Sequence, residues 1–168
     1  MGVEELLVQV LREQVAEHPK SGRRMTWVYG SLHELLLESG RFFTPAELPD
    51  SVGRLPARSC YANAFAVATV RRELTYVEGY AVWEAVAGNL LHIHHAWCVD
   101  AQGVVVDPTW PTPGLAYLGL PIGPQVGAPR LGPGLIEEME MLYPVLEAGL
   151  PAGALVDVGR PVAQESVG

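Results

Sequence analysis

The segment from residue 91 to residue 108 constrains the fold most strongly, because its composition is typical of two β-strands joined by a tight turn. Ile, Val and Trp are frequent in both arms, and Asp, Gln and Gly between residues 100 and 103 supply turn chemistry. Alternate residues of a strand share a face, so His95 falls on the apolar face of the first arm and His94 on the opposite face. A polar ring among apolar neighbours requires a hydrogen-bonding partner.

The predicted pairing of the two arms provides that partner. We place the loop at residues 99–103, which pairs Cys98 with Val104. The same register sets His95 directly opposite Asp107. Opposite residues of antiparallel strands have Cα atoms only about 4.5–5.5 Å apart. The hairpin is therefore predicted to bring an imidazole together with a carboxylate that orients it.

The size and charge of the chain narrow the classes of protein it can belong to. It has 168 residues and a formal charge of −8 at pH 7. Domains commonly contain roughly 100–200 residues, so the length predicts one domain with a substantial core. An acidic surface repels phosphate backbones, and the eleven Lys and Arg residues form no patch larger than a pair. We therefore expect no nucleic-acid partner, and the oligomeric state stays open.

The same sequence favours a cytoplasmic protein with no membrane partner. No stretch approaches the ~20 consecutive apolar residues that a membrane span needs. Glu4 and Glu5 lie where a secretion signal would be basic. The two cysteines, Cys60 and Cys98, fit neither a disulfide framework nor a cysteine-based zinc site. We expect both thiols to be reduced and unbridged.

Apolar spacing predicts two amphipathic helices within residues 3–40. The first covers residues 3–18, and the second covers residues 26–38, with Thr26 as its N-cap and Val28 on its core side. Prolines and a glycine then predict an irregular loop over residues 41–58. These elements form the N-terminal part of the expected domain.

The predicted core of the domain covers residues 59–110 and begins with a third helix. Ser59 can cap this helix, which ends near residue 72 and is apolar on nearly every side, so we expect it to be buried all round. A strand at residues 74–83 follows, in which Gly79 indicates a bulge or a close approach by another backbone. The hairpin completes the core.

A part rich in Pro and Gly covers residues 111–157 and completes the single domain of residues 1–157. It is predicted to contain an edge strand at residues 115–120 and a short helix within residues 135–150, broken at Pro144. Residues 158–168 are predicted to form a loose tail.

Cys60 lies in the first turn of the predicted third helix, where free N–H groups and the helix dipole favour a thiolate over a thiol. A helix-start cysteine, a histidine on a strand and an aspartate on the next strand supply a nucleophile, a base and an orienting group. The set Cys60, His95 and Asp107 is therefore predicted to be a catalytic triad for acyl transfer.

Each residue of the triad also has an ordinary structural explanation. Cys60 can be a small apolar residue of the core, His95 a hydrogen-bonded ring, and Asp107 a turn residue before Pro108. A non-catalytic binding or scaffold protein with the same fold is the alternative function. The structural explanation needs a separate reason for each of the three residues, whereas one active site explains all three together. We therefore favour the catalytic triad.

Three short runs of sequence resemble the transglutaminase-like branch of the papain-like cysteine peptidase superfamily, in which Cys, His and Asp come in this order. They are Cys60 at a helix start, His95-Ala96-Trp97, and Val105-Val106-Asp107-Pro108-Thr109. The resemblance covers residues 59–110 and implies an α+β papain-like core. In such a core the Cys helix packs on an antiparallel sheet, here of about four strands, that presents His and Asp on neighbouring strands.

The resemblance implies a hydrolase, a peptidase or an amide transferase acting on a peptide, a protein or a small amide. No metal or nucleotide motif appears in the sequence, so we expect no cofactor. The superfamily also includes deamidases and members that have lost activity. Papain-like members often have an oxyanion-stabilising Gln shortly before the Cys, and residues 48–59 contain none. The backbone N–H of Cys60 and the indole of Trp27 are the candidate oxyanion donors. Trp110 and His94 are the further candidate substrate-binding residues.

His92, His94 and Cys98 share one strand face, and a His-x-His spacing allows two imidazoles to converge on a transition metal. Three ligands on one flat strand need a fourth from elsewhere. We therefore predict no metal site, and we expect His92 and His94 to face solvent or line the cleft.

Overall fold

The computed structural model describes residues 1–124 and 131–163, which form four α-helices and six β-strands. The α+β class is confirmed, but the sheet has six strands rather than about four. In chain order the elements are α1 (Val3–Glu17), α2 (Leu32–Ser39), β1 (Arg41–Phe43), α3 (Cys60–Val70), β2 (Thr75–Glu84), β3 (Leu90–Val99), β4 (Val105–Val106), β5 (Ala116–Ile122), α4 (Met139–Ala148) and β6 (Arg160–Pro161).

The six strands form one antiparallel sheet in the order β4-β3-β2-β5-β1-β6. The sheet curls, so that Thr44, just after β1, reaches the start of β4. There the Thr44 N–H donates to the Gly103 carbonyl, and the Val105 N–H donates to the Thr44 carbonyl, each at 2.9 Å. The curl separates a face that packs against the helices from a face that closes on itself.

Each face of the sheet has its own hydrophobic cluster. The helix-side cluster joins Leu7 and Leu11 of α1 and Leu35 of α2 to strand residues such as Cys98 and Leu118. Among the residues that the structure describes, the second cluster contains none from a helix; its buried members are Phe43, Val77, Ala81, Trp97, Val99, Val105, Tyr117 and Val158. Because the sheet curls around this cluster, Trp97 and Tyr117 are fully buried.

The N-terminal helices agree in part with the sequence prediction. The first helix is confirmed within one residue, but the second does not begin at Thr26. Residues Gly22–Thr26 form a 3-10 turn, and α2 begins after Ser31, whose hydroxyl accepts the Glu34 N–H at 3.2 Å. Val28 lies outside the helix and is exposed. The Ser-x-x-Glu cap outweighed the apolar spacing that had suggested a longer helix.

The Cys60 helix was predicted to be buried all round, and this was wrong. Within α3 only Asn63 and Ala64 are buried, whereas Phe65 and Val70 are exposed. One face of the helix packs on β3, and the other carries small or apolar residues toward solvent. Composition cannot distinguish a helix covered on both sides from one covered on a single side.

Three predictions for the C-terminal part also need correction. The strand predicted at residues 115–120 as an edge strand is β5, which lies centrally between β2 and β1. Pro144 does not break the last helix but lies inside α4. Leu142 before it and Leu146 after it are both buried, so the helix is packed against the core on either side of the proline. The predicted loose tail is not loose throughout, because residues 160–161 form β6 and pair with β1. Two stretches lie outside the described residues, namely 125–130 of the Pro- and Gly-rich part and 164–168 of the tail.

The central hairpin is present, with a register two residues away from the predicted one. Cys98 pairs with Val106 rather than with Val104, because the turn extends to residue 104. The Asp100 Oδ1 atom accepts the backbone N–H groups of Gln102 and Val104, each at 2.9 Å, and so fixes the longer turn. A shift of two residues keeps every side chain on its predicted face.

Two glycines allow β2 and β5 to approach each other behind this hairpin. Gly79 pairs with Gly119 in β5 and with His95 in β3. A Cβ on Gly79 would collide with the Leu118 carbonyl oxygen. Of the two predicted explanations for Gly79, the close approach of another backbone is confirmed. The other, a bulge, is not found, because the strand pairing continues through Gly79 on both sides.

The described helices include none that is long and apolar enough to cross a bilayer.

Replacing Gly119 by Ala should destabilise the protein by about 2–3 kcal/mol, the cost of overpacking a closed core. The new Cβ would lie 2.6 Å from the Glu78 carbonyl oxygen and 2.9 Å from Trp97. Urea denaturation measures the change. Gly53→Ala is the matched control, because no atom lies within 4 Å of its Cβ position, and it should change stability by less than about 0.5 kcal/mol. Equal stability of the two variants would contradict the packing described here.

Candidate active site

His95 and Asp107 form a buried pair at the edge of the sheet. His95 lies in β3, and Asp107 follows the last residue of β4, where the chain leaves the sheet. The His95 Nε2 and Asp107 Oδ2 atoms are 2.7 Å apart, and the residues are 1% and 4% exposed. Because a carboxylate only accepts hydrogen bonds, Nε2 carries the proton. The predicted contact is therefore present, although the residues are not directly opposite each other in the ladder.

Asp107 is held by three further donors. Its Oδ1 atom accepts the backbone N–H groups of Thr109 at 2.9 Å and of Trp110 at 3.2 Å. Its Oδ2 atom accepts the Tyr117 hydroxyl at 3.2 Å, in addition to His95. The Tyr117 oxygen accepts the Gly114 N–H at 2.8 Å. Such complete satisfaction fixes the orientation of a buried carboxylate.

Aromatic rings enclose the imidazole of His95. Trp110 stacks on it with ring centroids 4.1 Å apart and an angle of 20° between the planes. Trp97 lies at 6.1 Å, also nearly parallel. Trp110 in turn contacts the edge of Trp83. The rings shield the His95–Asp107 hydrogen bond from water, which strengthens it.

Cys60 is the first residue of α3 and is partly exposed. The N–H groups of the first helical turn have no partner within the helix and point toward the residue at its start. Cys60 interacts with the His95 ring, whose pKa it raises. Since Nε2 is bonded to Asp107, Nδ1 is the ring nitrogen that is available to a thiol.

The pKa of His95 reflects both neighbours. Burial alone would lower the pKa, because it disfavours the imidazolium. Hydrogen bonds to Asp107 and Cys60 and the negative charges of these two groups outweigh burial, so the pKa of His95 lies above its ordinary value. The raised pKa favours the protonated, imidazolium form of His95.

Asn63 joins the Cys60 helix to the loop that follows Asp107. Its Nδ2 atom donates to Thr109 Oγ1 at 3.0 Å and to the Pro56 carbonyl at 2.7 Å. The preceding loop is tied to the same place, since the Leu55 N–H donates to the Pro108 carbonyl at 2.8 Å. These bonds fix the distance between the helix start and the Asp107 carboxylate.

The candidate substrate residues lie in different places. Trp110 covers His95, as described above. His94 lies on the opposite face of β3, where its Nε2 atom bonds to the Tyr80 hydroxyl at 2.8 Å. Trp27 packs against Tyr143 and under Arg24, and none of its described contacts is with the triad. Its role as an oxyanion donor therefore has no geometric support.

Cys98 is a structural residue. Its thiol is buried against α3 and donates to the Ala64 carbonyl at 3.2 Å. Burial raises the pKa of Cys98 to about 12. Both cysteines are unbridged, as predicted.

The face shared by His92, His94 and Cys98 gives no metal cluster. His94 bonds to Tyr80, and Cys98 bonds to the helix backbone. Across residues 1–124 and 131–163, no three His, Cys, Asp or Glu side chains are arranged to hold a metal ion.

Comparison with known proteins yields no further assignment, since no protein-family model, curated protein or solved structure matches the chain.

Sequence reasoning missed three residues of the site, namely Asn63, Thr109 and Tyr117. Asn63 was detectable as the single amide in an otherwise apolar helix, at one turn from Cys60. Tyr117 lies in a strand that the sequence placed at the edge of the sheet, and that position gave no basis for predicting a hydrogen bond from its hydroxyl to Asp107. Its role depends on the position of β5 in the sheet, which the sequence alone does not determine.

Asp107→Asn should lower the pKa of His95, because it removes the negative charge beside Nε2. NMR titration of the imidazole measures this pKa. The raised pKa means that the pair stabilises the folded protein fully below about pH 6.5, the ordinary value. That contribution is lost as the pH rises through the raised pKa. The difference in unfolding free energy between the parent and Asp107→Asn should therefore decrease as the pH rises from about 6.5 through the raised pKa. Identical NMR titration curves of His95 in the two proteins would contradict the pairing.

Tyr117→Phe should shift the same pKa in the opposite direction. Without the hydroxyl donor, the Asp107 carboxylate interacts more strongly with the imidazolium, so the pKa of His95 should rise slightly. The variant should also lose about 1–3 kcal/mol of stability, because the buried Gly114 N–H loses its acceptor. NMR titration and urea denaturation test both effects, and a lower pKa of His95 would show that Tyr117 does not act through Asp107.

Proposed function

We propose that the protein catalyses cysteine-dependent acyl transfer on an amide or peptide bond. The supporting observation is that a buried, fully bonded Asp107 holds Nε2 of His95, while Cys60, at the start of α3, interacts with the same ring and raises its pKa. A transglutaminase-like, papain-like core is part of the same proposal. It rests on the order Cys, His, Asp and on the packing of α3 against β3.

In the proposed reaction the Cys60 thiolate attacks the carbonyl carbon of the amide. The carbonyl π electrons move to oxygen and give a tetrahedral intermediate, toward which the Cys60 backbone N–H donates. When this intermediate collapses, the C–N bond breaks and the His95 imidazolium gives its Nδ1 proton to the leaving amine. The product is a thioester between the acyl group and Cys60.

The second half of the reaction releases the acyl group. Water or an amine attacks the thioester, and neutral His95 accepts its proton through Nδ1. Water gives a hydrolase and an amine gives a transferase. Asp107 stabilises the imidazolium in both halves and keeps the proton on Nε2.

A functional Cys60 should react with iodoacetamide at pH 7.5 more than about 100-fold faster than Cys98, whose pKa is raised to about 12 by burial. Mass spectrometry of the two cysteine peptides measures both rates. His95→Gln should slow Cys60 and leave Cys98 unchanged. A Cys60 rate that is slow or independent of His95 would favour the alternative, a non-catalytic binding protein with the same fold.

Asp107→Asn should slow acylation of Cys60 by p-nitrophenyl acetate by about 10–10³-fold. An Asn amide favours the wrong tautomer of the ring, and the comparable serine triad loses about 10⁴. A cysteine loses less, because its thiolate depends less on the base. Release of p-nitrophenolate measures the rate, and Cys60→Ala gives the background.

Thermal melts separate this effect from unfolding. A folded Asp107→Asn protein that reacts at the parent's rate would remove Asp107 from the catalytic set.

A further inference from the structure

A cavity of about 740 Å³ lies between the outer side of α3, the start of β2 and the end of β5. Its size is in the range of cavities that bind small molecules, roughly 300–1,000 Å³. None of its described lining residues belongs to the set Cys60, His95 and Asp107. The cavity is therefore a site separate from the candidate active site.

Most of the cavity wall is apolar. Phe65 of α3 and Tyr76 of β2 meet edge to face, with ring centroids 5.7 Å apart and planes at 89°. Tyr76 is buried, whereas Phe65 is 44% exposed. The aliphatic part of the wall comes from Leu74, Ile122, Leu131 and Val156. An apolar group that enters the cavity would remove the Phe65 ring from water, which is favourable.

A buried carboxylate holds the wall at residues 131–132 in place. Glu78 of β2 is fully buried. Its oxygens accept the Tyr76 hydroxyl at 2.7 Å and the backbone N–H groups of Gly134 at 2.6 Å and Ile136 at 3.0 Å. Gly132 packs on the Tyr76 ring so closely that a Cβ would lie 3.0 Å from it. The cavity is thus formed before any ligand enters.

One positive charge stands at this apolar cavity. Arg72 is exposed and is the single charged residue among the described lining residues. The neighbouring carboxylate, Glu73, pairs with Arg71, whose Nε atom lies 2.5 Å from Oε1. Within the described part of the chain, Arg72 itself makes no hydrogen bond or ion pair. Its guanidinium is therefore available to an anionic group.

We propose that this cavity binds a free carboxylic acid with an unbranched apolar chain. The chain lies against Phe65 and Tyr76, and the carboxylate pairs with Arg72. A guanidinium presents its N–H groups in the fork that matches a carboxylate, and the apolar wall offers no counter-charge for a cationic ligand. This inference does not depend on the acyl-transfer proposal.

Isothermal titration calorimetry with sodium decanoate tests the site. The parent should bind decanoate with a Kd of about 1 mM or lower, as expected for a ligand of this size. Octanoate, which has two fewer CH2 groups, should bind about 10-fold more weakly. Decyltrimethylammonium has the opposite charge and should bind more weakly than decanoate, although the protein as a whole is acidic.

Arg72→Gln should weaken decanoate binding by about 5-fold, the upper range for an exposed ion pair, and should not weaken binding of decyltrimethylammonium. Arg23→Gln is the matched control for charge, since Arg23 is exposed and does not line the cavity, and it should leave decanoate binding unchanged. Equal effects of the two substitutions would overturn the role of Arg72.

A second pair of variants tests the position of the chain. Ala68 lines the cavity, so Ala68→Phe should fill it and abolish saturable decanoate binding. Ala66 is exposed on the same helix and is not among the described lining residues, so Ala66→Phe should bind as the parent does. Thermal melts establish that both variants fold; if Ala68→Phe does not, the Arg72→Gln result decides. No saturable binding of decanoate by the parent, equal affinity for decanoate and decyltrimethylammonium, or normal binding by folded Ala68→Phe would overturn the proposal.

Discussion

The hydrogen bond between His95 and Asp107 is the interaction on which the rest of the site depends. It joins two ionisable side chains that are nearly inaccessible to water, at a distance of 2.7 Å. Removing a charged group from water costs several kcal/mol, so such a pair persists only when each remaining polar atom also has a partner. Thr109, Trp110 and Tyr117 supply these partners for Asp107. The site is accordingly built into the core of the curled sheet and is not a surface addition.

The shortness of β4 explains how the carboxylate reaches the imidazole. The strand ends after two residues, so the chain leaves the ladder at Asp107 and turns back over β3. The loop after Asp107 is tied to the loop before α3 through Pro108 and Leu55, and to α3 itself through Thr109 and Asn63. The start of α3, His95 and Asp107 are thus positioned by one connected set of hydrogen bonds.

Sequence periodicity predicted the faces of the strands better than their partners. His95 and Trp97 fall on one face and His94 and Cys98 on the other, as alternation requires, although the register differs by two residues. The register depended on Asp100, whose side chain extends the turn by accepting two backbone N–H groups. Because the register differs by an even number of residues, each side chain stays on its predicted face of the sheet. Asp107 still contacts His95, because the chain leaves β4 at this residue.

Residues that act through the order of the strands could not be predicted in this way. Tyr117 reaches Asp107 because β5 lies inside the sheet, between β2 and β1. The position of β5 depends on contacts between parts of the chain that are far apart in sequence, for which local spacing carries no signal. The exposure of one face of α3 was missed for the same reason.

The central claim is that Cys60, His95 and Asp107 act as one unit, and a double-mutant cycle on Cys60 alkylation tests it most directly. The rate with iodoacetamide at pH 7 would be measured in the parent, His95→Gln, Asp107→Asn and the double variant. If Asp107 acts only through the ring, Asp107→Asn should slow the parent severalfold or more and change the His95→Gln protein by less than about twofold. An equal fold-loss in both backgrounds would contradict the account, because Asp107 would then affect the thiol independently of His95.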